Sequence, residues 1–209
     1  NFDAELPSAF GFDVRHTDRE VILARSDLRT SDLKLSNAQG GNFAVNCQLQ
    51  TPALGTLTVL RGWVAVDAQI RGKSFRLIST HLDTTCLPFT SAIQLAQASE
   101  LLAGPAATGL PVILAGDLNS AADGSGATYN FLVGAGFADA GAGLGNTCCH
   151  APDLLNPSPN LTVRIDHILL RGGFAVVGAD VLGDEAGDRT PSGLWPSDHA
   201  GVAARVRLP

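Results

Sequence analysis

Short apolar runs, separated by glycine, proline and polar residues, dominate the pattern of this chain. The clearest run is residues 112–115, bounded by Pro111 and Gly116, which predicts a short buried strand. Residues 62–70 and 75–80 flank a glycine-containing turn and predict a hairpin. Further strands are predicted at residues 19–25, 43–49 (pairing with 57–60), 163–170, 174–182 and 202–208, with a polar loop at 26–42.

Two segments predict helices. Residues 90–103 carry small and apolar side chains near one face, with Thr90 or Ser91 as the cap and Gly104 after the end. Residues 129–134 predict a short helix ended by glycine. Many strands, few helices and several hairpins predict an α/β layered sandwich. With no internal repeat and no linker, residues 1–209 are predicted to form a single domain.

Polar residues stand where several of these apolar runs begin or end. Asp117 and Asn119 follow the run at 112–115, and side chains two positions apart share one face of an extended chain. Carboxylate and carbonyl oxygens suit Mg²⁺ or Mn²⁺, although this piece alone is explained as simply by a strand and an Asx turn. His81, Asp166 and His199 occupy similar positions at three other runs. Their recurrence favours a functional site.

Four short motifs together resemble the endonuclease/exonuclease/phosphatase superfamily. They are Thr80-His81-Leu82, Gly116-Asp117-Leu118-Asn119-Ser120, Arg164-Ile165-Asp166-His167 and Ser197-Asp198-His199, in the family's order. The resemblance implies the fold of deoxyribonuclease I, a four-layer sandwich of two mostly antiparallel sheets flanked by helices. It also implies hydrolysis of a phosphodiester or phosphomonoester by activated water, as in nucleases, sphingomyelinase-like phospholipases C and phosphatases.

The resemblance assigns a role to each polar residue. Asp117 would orient or deprotonate the attacking water, and Asn119 would hold that water or the phosphate. His199 would bind the phosphoryl group or act as acid and base, with Asp166 accepting from its other ring nitrogen. His81 would donate to the scissile phosphate.

The implied cofactor is Mg²⁺, or else Mn²⁺ or Ca²⁺, held by Asp117, Asn119 and Asp198. Two neighbours of these residues have simpler explanations. His167 lies next to Asp166 on a strand, so it points to the opposite face and is expected to be structural. Asp83 is expected to be a turn residue.

One part of the family pattern has no counterpart in this sequence. The family's main metal ligand is a glutamate directly after an early buried strand, and Glu20 precedes its apolar run instead of ending one. We therefore expect this chain to lack the family's first strands. An N-terminal fragment would then supply the glutamate in a split enzyme. The alternative is a non-catalytic fragment or binding module of the same fold.

Charge, hydropathy and cysteine content bound the remaining possibilities. The net charge of −6, without a cluster of Lys and Arg, disfavours nucleic acid relative to a lipid headgroup or small phosphoester as the substrate. No run approaches the roughly 18 apolar residues of a transmembrane helix.

Because adjacent cysteines pair with each other only with strain, disulfides would link Cys148 and Cys149 to Cys47 and Cys86; four free thiols are equally consistent. Disulfides and the composition favour a secreted or periplasmic protein.

Overall fold

The computed structural model describes residues 2–6, 14–51, 55–84 and 86–209, with side chains described from residue 17 onward except at residue 51. Twelve strands and two α-helices lie within them, and a 3-10 turn spans Ala186–Asp188. The elements are β1 (Phe2–Leu6), β2 (Val14–Asp18), β3 (Lys34–Asn42), β4 (Cys47–Thr51), β5 (Gly55–Val59), β6 (Gly62–Ile70), β7 (Lys73–His81), α1 (Thr90–Ala103), β8 (Val112–Asp117), α2 (Ala127–Gly134), β9 (Ala138–Asp139), β10 (Asp166–Arg171), β11 (Ala175–Leu182) and β12 (Gly201–Arg207).

A six-stranded sheet in the order β3-β6-β7-β8-β10-β9 forms the centre of the protein. Its strands are antiparallel except for β7 and β8, which run parallel and are joined across the sheet by α1. Three two-stranded sheets accompany it: β1-β2, β4-β5 and β11-β12. This architecture confirms the predicted α/β class with several sheets and few helices.

The main core lies between the helices and the face of the central sheet that they cover. Leu101 of α1 and Leu132 of α2 are fully buried there, against Ile78, Leu114 and Leu169 from three adjacent strands. Side chains on a strand alternate between faces, so the residues between these three point to the other side of the sheet. That second face leads to the polar strand ends described below.

Most predicted elements are present within one to three residues of their expected bounds. The hairpin β6–β7, the pairing of β4 with β5, both helices and the strand before Asp117 are confirmed. Two expectations are wrong. Residues 19–25 form no strand, and residues 34–42, predicted as loop, form the exposed edge strand β3. Its backbone pairing with β6 determines that structure, without any buried side chain.

The cysteine pairing also differs from the expectation. Cys47 bonds to Cys86 with a Cα–Cα distance of 5.4 Å, and Cys148 bonds to Cys149. The expected cross-links between the two groups are therefore wrong, and so are the free thiols. The physical reason is position: Cys148 is bridged through its backbone to Val163 and His199, whereas Cys47 begins the separate small sheet β4-β5.

Within the described residues, no helix is both long enough and apolar enough to cross a membrane.

Candidate active site

The register of the central sheet brings three predicted residues into one row. His81 is paired with Asp117 across the parallel strands, and Asp117 is paired with Asp166 across the antiparallel ones. Gly116 makes this close approach of β7 and β8 possible. It has a φ of 144°, and a Cβ there would lie 1.9 Å from the carbonyl oxygen of Thr80.

His199 reaches the same row from the loop that precedes β12. Its Nδ1 lies 2.9 Å from Asp166 Oδ2 and 4.0 Å from Asp117 Oδ2. The loop is held by backbone hydrogen bonds on both sides of the histidine, where Ala200 donates to Thr147 and His150 donates to the carbonyl of Asp198. The predicted contact between Asp166 and His199 is therefore present, and the other ring nitrogen, Nε2, lies 3.6 Å from Cys149 Sγ.

Arg61 completes the row on the side of His81, and no sequence motif identified it. Its Nη1 lies 2.9 Å from His81 Nδ1 and also forms an ion pair with Asp18. Because a guanidinium can only donate, Nδ1 of His81 must accept, and the ring proton is on Nε2. That Nε2–H faces Asp117 Oδ2 at 3.4 Å. Arg61 is buried immediately before β6, so only the fold shows that it reaches the site.

Asn119 has a structural role as well as a place beside Asp117. Its φ is 48°, and its backbone N–H donates to Asp117 Oδ1 at 2.7 Å in an Asx-type turn. Its side-chain amide donates to the carbonyl of Leu82 at 3.0 Å, and the side chain of Gln94 from α1 donates to the backbone carbonyl of Asn119. These contacts fix the orientation of the Asp117 carboxylate against the end of β7.

Burial and mutual repulsion dominate the electrostatics of the row. Burial, together with the negative charge of Asp166, raises the pKa of Asp117 to about 6. The hydrogen bond that His199 donates to Asp166 raises the pKa of His199 above its ordinary value. Burial lowers the pKa of His81, and the neighbouring Arg61 lowers it too. The row thus holds one neutral imidazole, one imidazole biased towards its cation, and two carboxylates that repel each other.

A cation would relieve this repulsion. One oxygen of Asp117, one oxygen of Asp166 and a nitrogen of His199 all lie within 4.8 Å of one another. Carboxylate oxygens are the ligands that Mg²⁺ and Mn²⁺ prefer, so the donors present fit the implied ion. Asp198 is not part of this group: it is exposed and accepts from the hydroxyl of Ser197 at 3.3 Å. Among residues with described side chains, no glutamate belongs to the group either.

The residues expected to be structural are packed as such. His167 is buried on the helix side of the sheet, where Arg164 donates to it and its Nε2 donates to the carbonyl of Ser120 at 3.0 Å. Asp83 is fully buried and accepts from the backbone of Cys86. Arg164 pairs with Asp139 at 2.7 Å rather than with Asp166.

Trp195, in the loop before Ser197, is packed in the interior and does not line the site. It is 1% exposed and stacks on His150 with ring centroids 4.0 Å apart. Both of its faces are therefore unavailable to a substrate.

Comparisons with known proteins identify the family. The sequence model described as Endonuclease/Exonuclease/phosphatase family matches residues 21–199. No curated protein sequence matches the chain closely enough to count as a relative.

Several solved structures share the fold. The endonuclease/exonuclease/phosphatase from Bacteroides vulgatus has a TM-score of 0.64 and 17% identity, over 87% of this chain and 68% of that one. The Bacteroides thetaiotaomicron mannosyl-6-phosphatase has a TM-score of 0.59 and 20% identity, over 86% and 69%. D. rerio TDP2, solved with a single-stranded DNA product, has a TM-score of 0.57 and 22% identity, over 87% and 71%.

Proposed function

The chain belongs to the endonuclease/exonuclease/phosphatase family, and we propose that it is a divalent-metal-dependent phosphoesterase in which water attacks phosphorus. One observation carries the proposal. His81, Asp117 and Asp166 lie side by side at the ends of three adjacent strands, and His199 closes the row from a loop. Phosphoester hydrolysis needs a positioned water, positive charge near the phosphoryl oxygens and a proton for the leaving oxygen.

His199 supplies the proton chemistry in this proposal. Its Nδ1 is held 2.9 Å from the Asp166 carboxylate, which fixes the tautomer and orients Nε2 away from Asp166. The same hydrogen bond raises the pKa of His199, so a larger fraction of the rings is protonated at neutral pH than in a free histidine, and the proton on Nε2 is donated to the leaving oxygen. Asp166 is accordingly a positioning residue.

Asp117 accepts the proton of the attacking water. Its pKa of about 6 lies close to a neutral working pH, where an acceptor is both ionised and basic enough. Asp117 and Asp166 are also the residues that would hold the cation. When bound, such an ion neutralises charge on the phosphoryl oxygens and lowers the pKa of water. Asn119 contributes by holding the Asp117 carboxylate through its backbone N–H.

Arg61 and His81 provide the phosphate-binding side. The neutral His81 offers its Nε2–H at the mouth of the row, and the buried Arg61 brings a permanent positive charge within 2.9 Å of that ring. We expect small phosphoesters to be preferred over duplex DNA, because the net charge of −6 repels a polyanion. The neighbouring structures include a mannosyl-6-phosphatase and a protein solved with a single-stranded DNA product, so a phosphomonoester and a phosphodiester are both assayed.

The experiment compares p-nitrophenyl phosphate with bis(p-nitrophenyl) phosphate after chelator treatment and readdition of Mg²⁺, Mn²⁺ or Ca²⁺. We expect activity only with metal, and a loss of about 10²- to 10⁴-fold in His199→Ala and Asp117→Ala, the range that general acid–base groups contribute. Asp153→Asn is the matched control, because that exposed carboxylate lies outside the row and accepts from the backbone of Leu155.

Equal activity in all variants would contradict the proposal. A folded wild-type chain that binds no metal and hydrolyses neither substrate would instead support a non-catalytic module. Activity that appears only when a peptide with the family's glutamate is added would support the split enzyme.

A further inference from the structure

The disulfide between Cys148 and Cys149 lies directly beside Nε2 of His199. Cys149 Sγ is 3.6 Å from His199 Nε2, and the backbones of Cys148 and His199 form an antiparallel bridge. Cys148 is buried and Cys149 is half-buried, so the sulfur nearer to the site is the accessible one. Nothing in the proposed hydrolysis uses either sulfur.

The backbone holds this arrangement independently of the disulfide. On one side, Cys148 donates to the carbonyl of Val163 at 2.9 Å and accepts from Val163 in return at 3.1 Å. On the other side, Ala200 donates to Thr147 at 2.8 Å. Because hydrogen bonds flank the pair on both strands, breaking the sulfur–sulfur bond leaves the two side chains facing the same imidazole.

We propose that reduction of this pair creates a second metal site, in which the thiolates of Cys148 and Cys149 and Nε2 of His199 bind a soft divalent cation such as Zn²⁺. The three ligand atoms already lie within 4.8 Å of one another. Two thiolates and one imidazole with an open fourth position is an established ligand set for Zn²⁺. The site is distinct from the carboxylate group that favours Mg²⁺, and it shares only His199 with it.

The distances suit zinc. Zn–S and Zn–N bonds of about 2.3 and 2.05 Å in a tetrahedron separate sulfur from nitrogen by roughly 3.6 Å and the two sulfurs by roughly 3.8 Å. The separation of 3.6 Å between Cys149 Sγ and His199 Nε2 already meets the first requirement for that sulfur, and Cys148 Sγ lies within 4.8 Å of Nε2. Meeting the second requires the sulfurs to part from a bonded separation of about 2 Å, which rotation about their Cα–Cβ bonds allows once the bond is broken.

Asp166 orients the imidazole for this second role as well. Its carboxylate accepts from Nδ1 of His199, which places the lone pair on Nε2 towards Cys149. Carboxylates that hold the distal N–H of a zinc-bound histidine are the usual outer partners of such sites.

Formation of the site follows a balanced reaction. A dithiol reductant transfers two electrons and two protons to the disulfide and becomes a cyclic disulfide itself. The two thiols then lose their protons as Zn²⁺ binds, so the two thiolates balance the charge of the ion. The consequence for hydrolysis rests on the proposed function: Nε2 bound to Zn²⁺ cannot donate a proton to a leaving oxygen, so reduction with zinc inhibits the enzyme.

The test measures metal binding, not activity. The full chain is treated with a phosphine reductant, which takes up oxygen from water to form the phosphine oxide and does not compete for zinc as a dithiol does. After desalting without oxygen, Zn²⁺ content is determined with excess Mg²⁺ present, and Co²⁺ is titrated while its thiolate charge-transfer absorption is recorded. We expect the reduced wild type to hold one more Zn²⁺ per chain than the oxidised wild type, and to show the Co²⁺ band.

Two variants make the test specific. C148S/C149S retains Cys47 and Cys86, so it reports any zinc bound by that second reduced pair; it should show neither the extra Zn²⁺ nor the band. If the double variant does not fold, Cys149→Ser alone serves the same purpose. H199A should weaken zinc binding in the reduced chain at least tenfold. Equal zinc content in the reduced wild type and C148S/C149S would overturn the proposal, and so would unchanged affinity in H199A. Neither result depends on phosphoesterase activity.

Discussion

Replacing Asp166 by asparagine tests the charged hydrogen bond that orients His199, and saturating Mg²⁺ limits the effect of losing a possible cation ligand. Asp166 Oδ2 and His199 Nδ1 are 2.9 Å apart, and their side chains are 20% and 25% exposed. A hydrogen bond to a charged group is worth about 1.5–3 kcal/mol, which corresponds to roughly 10- to 150-fold in rate. We therefore expect kcat/KM of Asp166→Asn to fall by that factor at saturating Mg²⁺.

The pH profile shows how the residue acts. Asp166 is the main cause of the raised pKa of His199, so the variant lowers that pKa and the proton donor is lost at a lower pH. The charge of Asp166 also helps to raise the pKa of Asp117, so the acceptor becomes ionised at a lower pH too. Both limbs of the plot of kcat/KM against pH should move towards acid. The assay follows bis(p-nitrophenyl) phosphate from pH 4.5 to 9, with Asp153→Asn as control. An unchanged rate, or a lower rate with both limbs in place, would refute the reasoning.

Three further perturbations test other contacts. The raised pKa of Asp117 means that the folded chain binds more protons than the unfolded chain between about pH 4 and 6. Stability is thus lost as the pH rises through that window. Without metal, Asp117→Asn should therefore raise the Tm at pH 7.5 but not at pH 4, and it should abolish any rise in Tm that Mn²⁺ causes. A lower Tm of the variant at pH 7.5 would contradict this. Arg61→Ala should raise the pKa of His81, as measured by NMR titration of the ring, and should raise KM more than it lowers kcat. Arg61→Lys keeps the positive charge, so both changes should be smaller in that variant. An unchanged ring titration in Arg61→Ala would show that Arg61 does not act on His81. Leu114→Ala, at a core position that is 1% exposed, should lower the free energy of unfolding in urea by about 2–5 kcal/mol. Leu155→Ala, at a position that is 55% exposed, should change it by no more than about 0.5 kcal/mol. Similar losses in the two variants would show that Leu114 does not belong to the core.

The sequence allowed the strands that carry the site to be predicted because they combine two signals. Residues 112–117 are apolar up to a polar end, and the hairpin before them has a glycine turn between strand-forming residues. Burial therefore selects their structure locally. β3 lacks both signals: all nine of its residues are exposed, and its pairing with β6 determines its conformation. Such a strand does not need alternating polar and apolar residues, so the sequence pattern does not predict it.

Site residues that lie within short sequence motifs could be predicted, whereas a residue that only the tertiary structure brings to the site could not. Asp117, Asp166 and His199 lie within short motifs, and the structure brings them together. Arg61 stands alone before a glycine and reaches His81 only because β6 and β7 pair in one register. The pairing of Cys148 with Cys149 follows likewise from the tertiary position of their segment beside His199.

The most direct test of the central claim is a crystal structure with Mn²⁺ and inorganic phosphate, using anomalous scattering to locate the metal. We predict an Mn²⁺ peak within about 2.5 Å of a carboxylate oxygen of Asp117, with phosphate oxygens in hydrogen-bond reach of His81 and of His199 Nε2. An Mn²⁺ ion or a phosphate bound only away from this row of residues would contradict a phosphoesterase site at these strand ends.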